Sequence, residues 1–132
     1  MGFVLAPVKL IAPANGREPV VVEMLVDTGA IFTLVPRAVL EQLGVRPTGT
    51  RTFQTIEGRP IEREVGVVEI EVQDRQPPGP VPVVFGEPDD GAVLGVTALE
   101  SMGLKVNPAA GTLEPTELLM LSAGVRIEGV RA

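Results

Sequence analysis

The stretch "VVEMLVDTGAIFTLVP", residues 21–36, decides how this chain is read. An aliphatic run stops at Asp27, Thr28 and Gly29 and resumes at Ala30. A strand that must expose a carboxylate for chemistry has this pattern. So does a strand interrupted by a simple turn, where Asp and Gly are favoured. Met24, Leu25 and Val26 before the motif, with Ile31, Phe32 and Leu34 after it, predict an Asp27 loop lying against the core. An ionised carboxylate is costly there unless it is hydrogen-bonded or shares a proton.

Composition narrows the chemistry. The chain has 132 residues, 45% of them hydrophobic, but only four Phe and no Trp or Tyr. Its apolar content is chiefly Val, Leu, Ala and Ile, and β-branched residues favour strands. Thirteen Pro and fifteen Gly suit short strands joined by turns better than long helices. One domain over residues 1–132 is expected. A net charge of −6 speaks against a nucleic-acid partner, which needs a basic face. The absence of Cys and His removes a thiolate nucleophile, a Ser-His-Asp triad and the usual zinc sites. Carboxylates, hydroxyls, Lys and backbone groups remain, and neither a metal nor a cofactor is expected. Lys9 and Pro7 interrupt the first apolar run, which has no basic segment before it and does not read as a signal peptide. No apolar stretch approaches the roughly 18 residues of a membrane-spanning helix. No membrane partner is expected, and the cytoplasm is the expected location.

Residues 3–11 and 19–26 read as two antiparallel strands, with Asn15-Gly16 supplying the positive φ values of a tight turn. "AIFTLVP" reads as a third strand. "PRAVLEQLG" follows as a short helix, with Pro36 in its first turn and Gly44 ending it. Residues 51–72 alternate apolar and polar on both sides of Glu57-Gly58, predicting a long hairpin with its tip there and a bulge at Gly66. An ordinary exposed hairpin and a functional one are equally compatible with that pattern. Residues 74–80, rich in Pro, read as a surface loop, and "VPVVF" as a strand. Asp89-Asp90-Gly91 has too few acids for a calcium loop and reads as a solvated turn. Thr97-Ala98-Leu99-Glu100 reads as a capping box opening a second short helix that ends at Gly103. "LKVNPAAGTLEP" closes as a hairpin, followed by the aliphatic "ELLML". "LVDTGA…LEQLGV" and "AVLGVTALESMGL" echo one another as strand, Gly turn and short helix, but only the first carries an aspartate.

Four features in order, Asp27-Thr28-Gly29-Ala30 after an apolar strand, the hairpin at Ile56-Glu57-Gly58, the triplet Val93-Leu94-Gly95 and the helix after it, resemble the retropepsin-like aspartic proteases. These are single-domain relatives of pepsin found in retroviruses and also in bacterial and eukaryotic genomes. The resemblance covers roughly residues 3–115. It implies an all-β acid-protease fold, a closed barrel or sandwich with one or two short helices and a flap hairpin. It implies Asp27 as the catalytic residue of an aspartic endopeptidase, supported by Thr28, Gly29 and Ala30. Thr55, Ile56, Glu57 and Gly58 would be the substrate-covering flap, and Val93, Leu94 and Gly95 a structural signature. With one DTG in the chain, the second aspartate would come from a second copy in a twofold homodimer acting on peptides or unfolded proteins.

The chain departs from the retroviral pattern after Gly95. Val96-Thr97 stands where those enzymes typically carry an arginine that supports the dimer. Residues 116–132 run beyond the retroviral pattern as a C-terminal extension, within which "ELLML" is the candidate dimer strand. A non-catalytic dimerisation or peptide-binding module of the same fold is the alternative, although such a module has little physical use for two carboxylates forced together.

Overall fold

The computed structural model of the protein describes residues 3–116. Strand β1 (Leu5–Ile11) buries Ala6, Val8 and Leu10 and exposes Leu5 and Pro7, the period-2 pattern of a sheet with one face in the core. It pairs antiparallel with β2 (Val20–Val26), from Leu5 opposite Leu25 to Leu10 opposite Val20. The connection is wider than a two-residue turn. Pro13 has no N–H for the ladder, Pro13–Asn15 form one 3-10 turn, and Gly16 alone takes a left-handed φ of 64°. The Asn15 side chain is used elsewhere: Nδ2 donates to the Leu43 carbonyl at 2.9 Å.

Beyond β2 the chain forms β3 (Thr33–Pro36), α1 (Arg37–Gln42), β4 (Gly49–Gln54), β5 (Pro60–Glu71), β6 (Val81–Gly86), β7 (Val93–Leu94), α2 (Val96–Ser101), β8 (Leu104–Asn107) and β9 (Thr112–Pro115). The expected all-β class is the observed one. A seven-stranded sheet runs β1-β2-β7-β3-β6-β5-β4, and β1 also pairs with β5, so the sheet closes on itself and leaves β4 outside the ring. Strand β7 lies between β2 and β3 and is parallel to β2. The loop joining β2 to β3 therefore has to arch past β7, and it is the loop that carries Asp27. The last hairpin, β8 with β9, forms as expected. The segment "ELLML" lies outside the described residues.

Several local expectations change. Pro36 is the last residue of β3, opposite Gly86, with an extended φ and ψ of −52° and 134°; it precedes α1 rather than occupying its first turn. Gly66 is no bulge, since it sits in regular register opposite Val83. A Cβ there would come within 3.2 Å of the Phe85 ring and of the Arg46 carbonyl, so this glycine makes room for Phe85, the largest fully buried side chain. Burying a Phe of this kind stabilises by roughly 1.5–3 kcal/mol. Helix α2 begins at Val96 with Gly95 as its N-cap and no side-chain capping bond. The Thr97 N–H instead donates to the Ile31 carbonyl, a tertiary partner that makes a Thr97 cap unnecessary. The 74–80 segment is ordered at its start. Gln73 and Asp74 take φ values of 51° and 61° in a tight turn that returns Arg75 to pair with Val72. Arg75 Nη1 then donates to the Met102 and Gly103 carbonyls at 3.2 and 3.4 Å, satisfying the end of α2.

Candidate active site

The Asp27 loop is fixed mainly through its backbone. Asp27 N–H donates to the Leu94 carbonyl at 3.1 Å, and Ala30 N–H donates to the Asp27 carbonyl at 3.1 Å. Gly29 N–H donates to Asp27 Oδ1 at 2.9 Å, so the carboxylate is held by its own turn. From the far side, Val96 N–H reaches the Ala30 carbonyl at 2.7 Å. The two echoing segments of the sequence are thus knitted together where each leaves its strand. Asp27, Thr28 and Gly29 are exposed rather than packed on the core, because the arching loop carries them to the outer surface.

Beneath this loop, Leu94 is fully buried, Val93 is half-buried, and Gly95 runs against the loop backbone. A Cβ on Gly95 would lie 2.5 Å from the Phe32 carbonyl oxygen and 2.9 Å from that of Ile31. Gly95 N–H donates to Thr33 Oγ1 at 3.1 Å, and Thr33 is the buried polar side chain of the described core, 1% exposed. The sequence offered one signal for it, a lone hydroxyl inside "IFTLV".

Next to the loop opens a groove of about 510 Å³. Its apolar lining comes from Ala30, Ile31, Phe32, Leu34, Phe53, Ile61, Val84 and Val93, with Gln54, Arg63 and Asp90 as its polar members. The roof is the β4-β5 hairpin, and Phe53 meets Phe32 edge-on at 5.9 Å between ring centres. The hairpin tip is at the expected place. Thr55 N–H donates to the Arg59 carbonyl, Gly58 N–H donates to the Thr55 carbonyl, and Gly58 takes a φ of 84°. Ile56 is fully exposed, and Thr55, Ile56, Glu57 and Gly58 do not line the groove.

Asp90 is no solvated turn residue. Arg63 grips it with two bonds, Nε to Oδ2 at 2.7 Å and Nη2 to Oδ1 at 3.1 Å, while Glu87 N–H donates to Oδ2 at 2.8 Å. The bonds from Arg63 hold the Asp90 carboxyl below the usual carboxylate value against the opposing effect of burial, and they raise Arg63 in turn. Arg37, its pKa raised chiefly by its bond to Glu64, also contacts Glu87 and lies over the Phe85 ring. Arg63 and Asp90 escape a reading of the sequence because each is a common surface residue type until the fold makes them neighbours.

The Asp27 loop, the hairpin, the groove and Gly95 all fall within residues 13–101, which match the family model described as gag-polyprotein putative aspartyl protease. The chain belongs to that family. Its fold is shared with solved members of the retroviral type. The EIAV protease complexed with the inhibitor HBY-793 is similar at a TM-score of 0.59 and 19% identity, over 80% of this chain and 93% of its own. The retroviral protease-like domain of Ddi1 from Leishmania major is similar at 0.55 and 15% identity, over 89% and 91%. The Simian Foamy Virus (mac) protease shares 23% identity over 73% of this chain and 91% of its own, at a TM-score of 0.48. No curated protein sequence matches the chain significantly. The retropepsin-like fold expected from the sequence is the observed one.

Proposed function

We propose that this family member is an aspartic endopeptidase that hydrolyses peptide bonds through a water activated by Asp27 and the Asp27 of a second copy. The observation that carries this reading is the placement of one exposed carboxylate, held by Gly29 N–H, on a loop bonded to β7 and α2 beside a largely apolar groove. Supporting it, Phe3 and Ile31 are 81% and 64% exposed. Val26 N–H bonds to the Val4 carbonyl, which sets Phe3 near the same loop, so an apolar rim accompanies the carboxylate. Burial of that rim against a twofold-related copy would remove apolar surface from water and bring the two aspartates together.

Two carboxylates about 3 Å apart repel by about 5.5 kcal/mol at an effective dielectric near 20. Both cannot stay ionised at that separation, so the pair shares one proton. The ionised member takes a proton from water as the water attacks the peptide carbonyl. The protonated member hydrogen-bonds the carbonyl oxygen and then supplies the leaving amine with a proton. Thr28 and Gly29 keep the loop geometry, and the hairpin folds over an extended peptide and adds backbone bonds to it. Peptide cleavage should vanish in Asp27→Asn while the circular dichroism spectrum is kept, and specific activity should fall on dilution below the dimer dissociation constant. Dimers that cleave no peptide in a proteome-derived library between pH 3 and 8 would instead favour a peptide-binding module.

A further inference from the structure

The hairpin that roofs the groove is an overhang. Strand β6 supports β5 only from Val65 to Val68, and β1 supports it only from Glu69 to Glu71. Among the described residues, the returning arm from Pro60 to Glu64 has β4 as its single strand partner, and β4 is the outer edge of the sheet. Side chains must therefore hold the overhang in place. On the groove side the bidentate bond from Arg63 to Asp90 joins the arm to the turn between β6 and β7, and that turn is itself tied by Glu87 N–H to Asp90. Both side chains line the groove and are only 21% and 20% exposed, so water competes weakly for the pair. Arg63 Nη1 also donates to the Glu62 carbonyl at 2.9 Å, which fixes the guanidinium to its own strand.

We propose that Arg63 and Asp90 are positioning residues whose ion pair fastens the overhanging arm above the groove, setting the height of the roof over an extended peptide while the tip beyond it moves. The peptide part of this inference rests on the protease reading; the fastening does not. The test is amide hydrogen exchange of the whole chain as parent, Asp90→Asn, Arg63→Met and the double variant, alongside KM and kcat on a cleaved peptide. Lys9→Met, which removes the exposed pair with Glu71, is the control. Exchange across residues 50–54 and 60–64 should quicken by about tenfold in both single variants, the size expected of a charge-assisted bond. The double variant should be no faster than either single one, Arg63→Lys should recover part of the protection, and Lys9→Met should leave the arm unchanged. KM should rise by about tenfold with kcat nearly constant. Unchanged arm exchange, equal acceleration in β1 and β2, or a fall in kcat at constant KM would overturn the proposal. Arm exchange that behaves as expected in a parent chain that cleaves nothing would support the fastening and defeat the protease reading.

Discussion

Replacing Gly95 with alanine tests how tightly the Asp27 loop is knitted to β7. The backbone at Gly95 is extended, with φ −85° and ψ 166°, a conformation open to any residue, so the effect is purely steric. An added Cβ would sit 2.5 Å from the Phe32 carbonyl oxygen, 2.6 Å from its carbon and 2.9 Å from the Ile31 oxygen. All three are backbone atoms and cannot swing aside as a side-chain end can. Separating the segments strains three bonds: Val96 N–H to Ala30, Thr97 N–H to Ile31 and Gly95 N–H to Thr33 Oγ1. Taking about 1 kcal/mol for each bond and about 1–2 kcal/mol for residual overpacking, Gly95→Ala should destabilise by about 4–5 kcal/mol. Urea denaturation of the variant and parent measures it. Gly79→Ala is the control, because no described residue lies within 4 Å of its Cβ and its φ is not left-handed; it should stay within about 0.5 kcal/mol. A Gly95→Ala loss under about 1 kcal/mol, with the amide shifts of residues 27–33 unmoved, would refute the close approach described here.

Thr33→Val keeps the shape but removes the acceptor for Gly95 N–H, and should cost about 1–3 kcal/mol in denaturation, whereas Thr33→Ser should keep most of the bond. Asp90 titrates below its ordinary value of 3.8 in the folded chain, so the stability gained from its pairing is complete above that value and is lost as pH falls through the lower folded-state value. The stability gap between parent and Asp90→Asn should therefore be constant near neutrality and shrink in acid; a gap that widens on acidification would contradict the pairing. Phe53→Ala removes the edge contact with Phe32 and part of the groove lining, and should weaken a statine-type peptide inhibitor by about tenfold or more, read as Ki. Asn15→Ala leaves the Leu43 carbonyl without its donor and should lower stability by about 1 kcal/mol, seen as a reduced thermal midpoint.

Much of the strand plan was legible because alternation is local. The inward set Ala6, Val8 and Leu10 follows from the period-2 pattern alone. Gly44, Gly58 and Gly103 stand where the chain takes φ values of 72°, 84° and 69°, which other residues rarely adopt. The Asp27 motif and the Val93-Leu94-Gly95 triplet could be picked out, although neither shows by itself that one threads beneath the other. Gly66 and Thr97 depart from their local patterns for a shared reason. A bulge and a capping box are local explanations, while the true constraints were the Phe85 ring and the Ile31 carbonyl, both remote in the chain.

The sequence by itself determined the all-β class, several of the turns and the exclusion of thiolate and histidine chemistry, since these follow from residue type and short-range spacing. Only the tertiary structure decided that β7 inserts between β2 and β3, that Asp27 stands exposed, and that Arg63 meets Asp90 across 27 residues and Thr33 meets Gly95 across 62. Closing the sheet on itself chooses those partners. Backbone groups left over by a two-residue strand must bond to whatever the closure brings near, and no local pattern of side chains encodes which segment that will be.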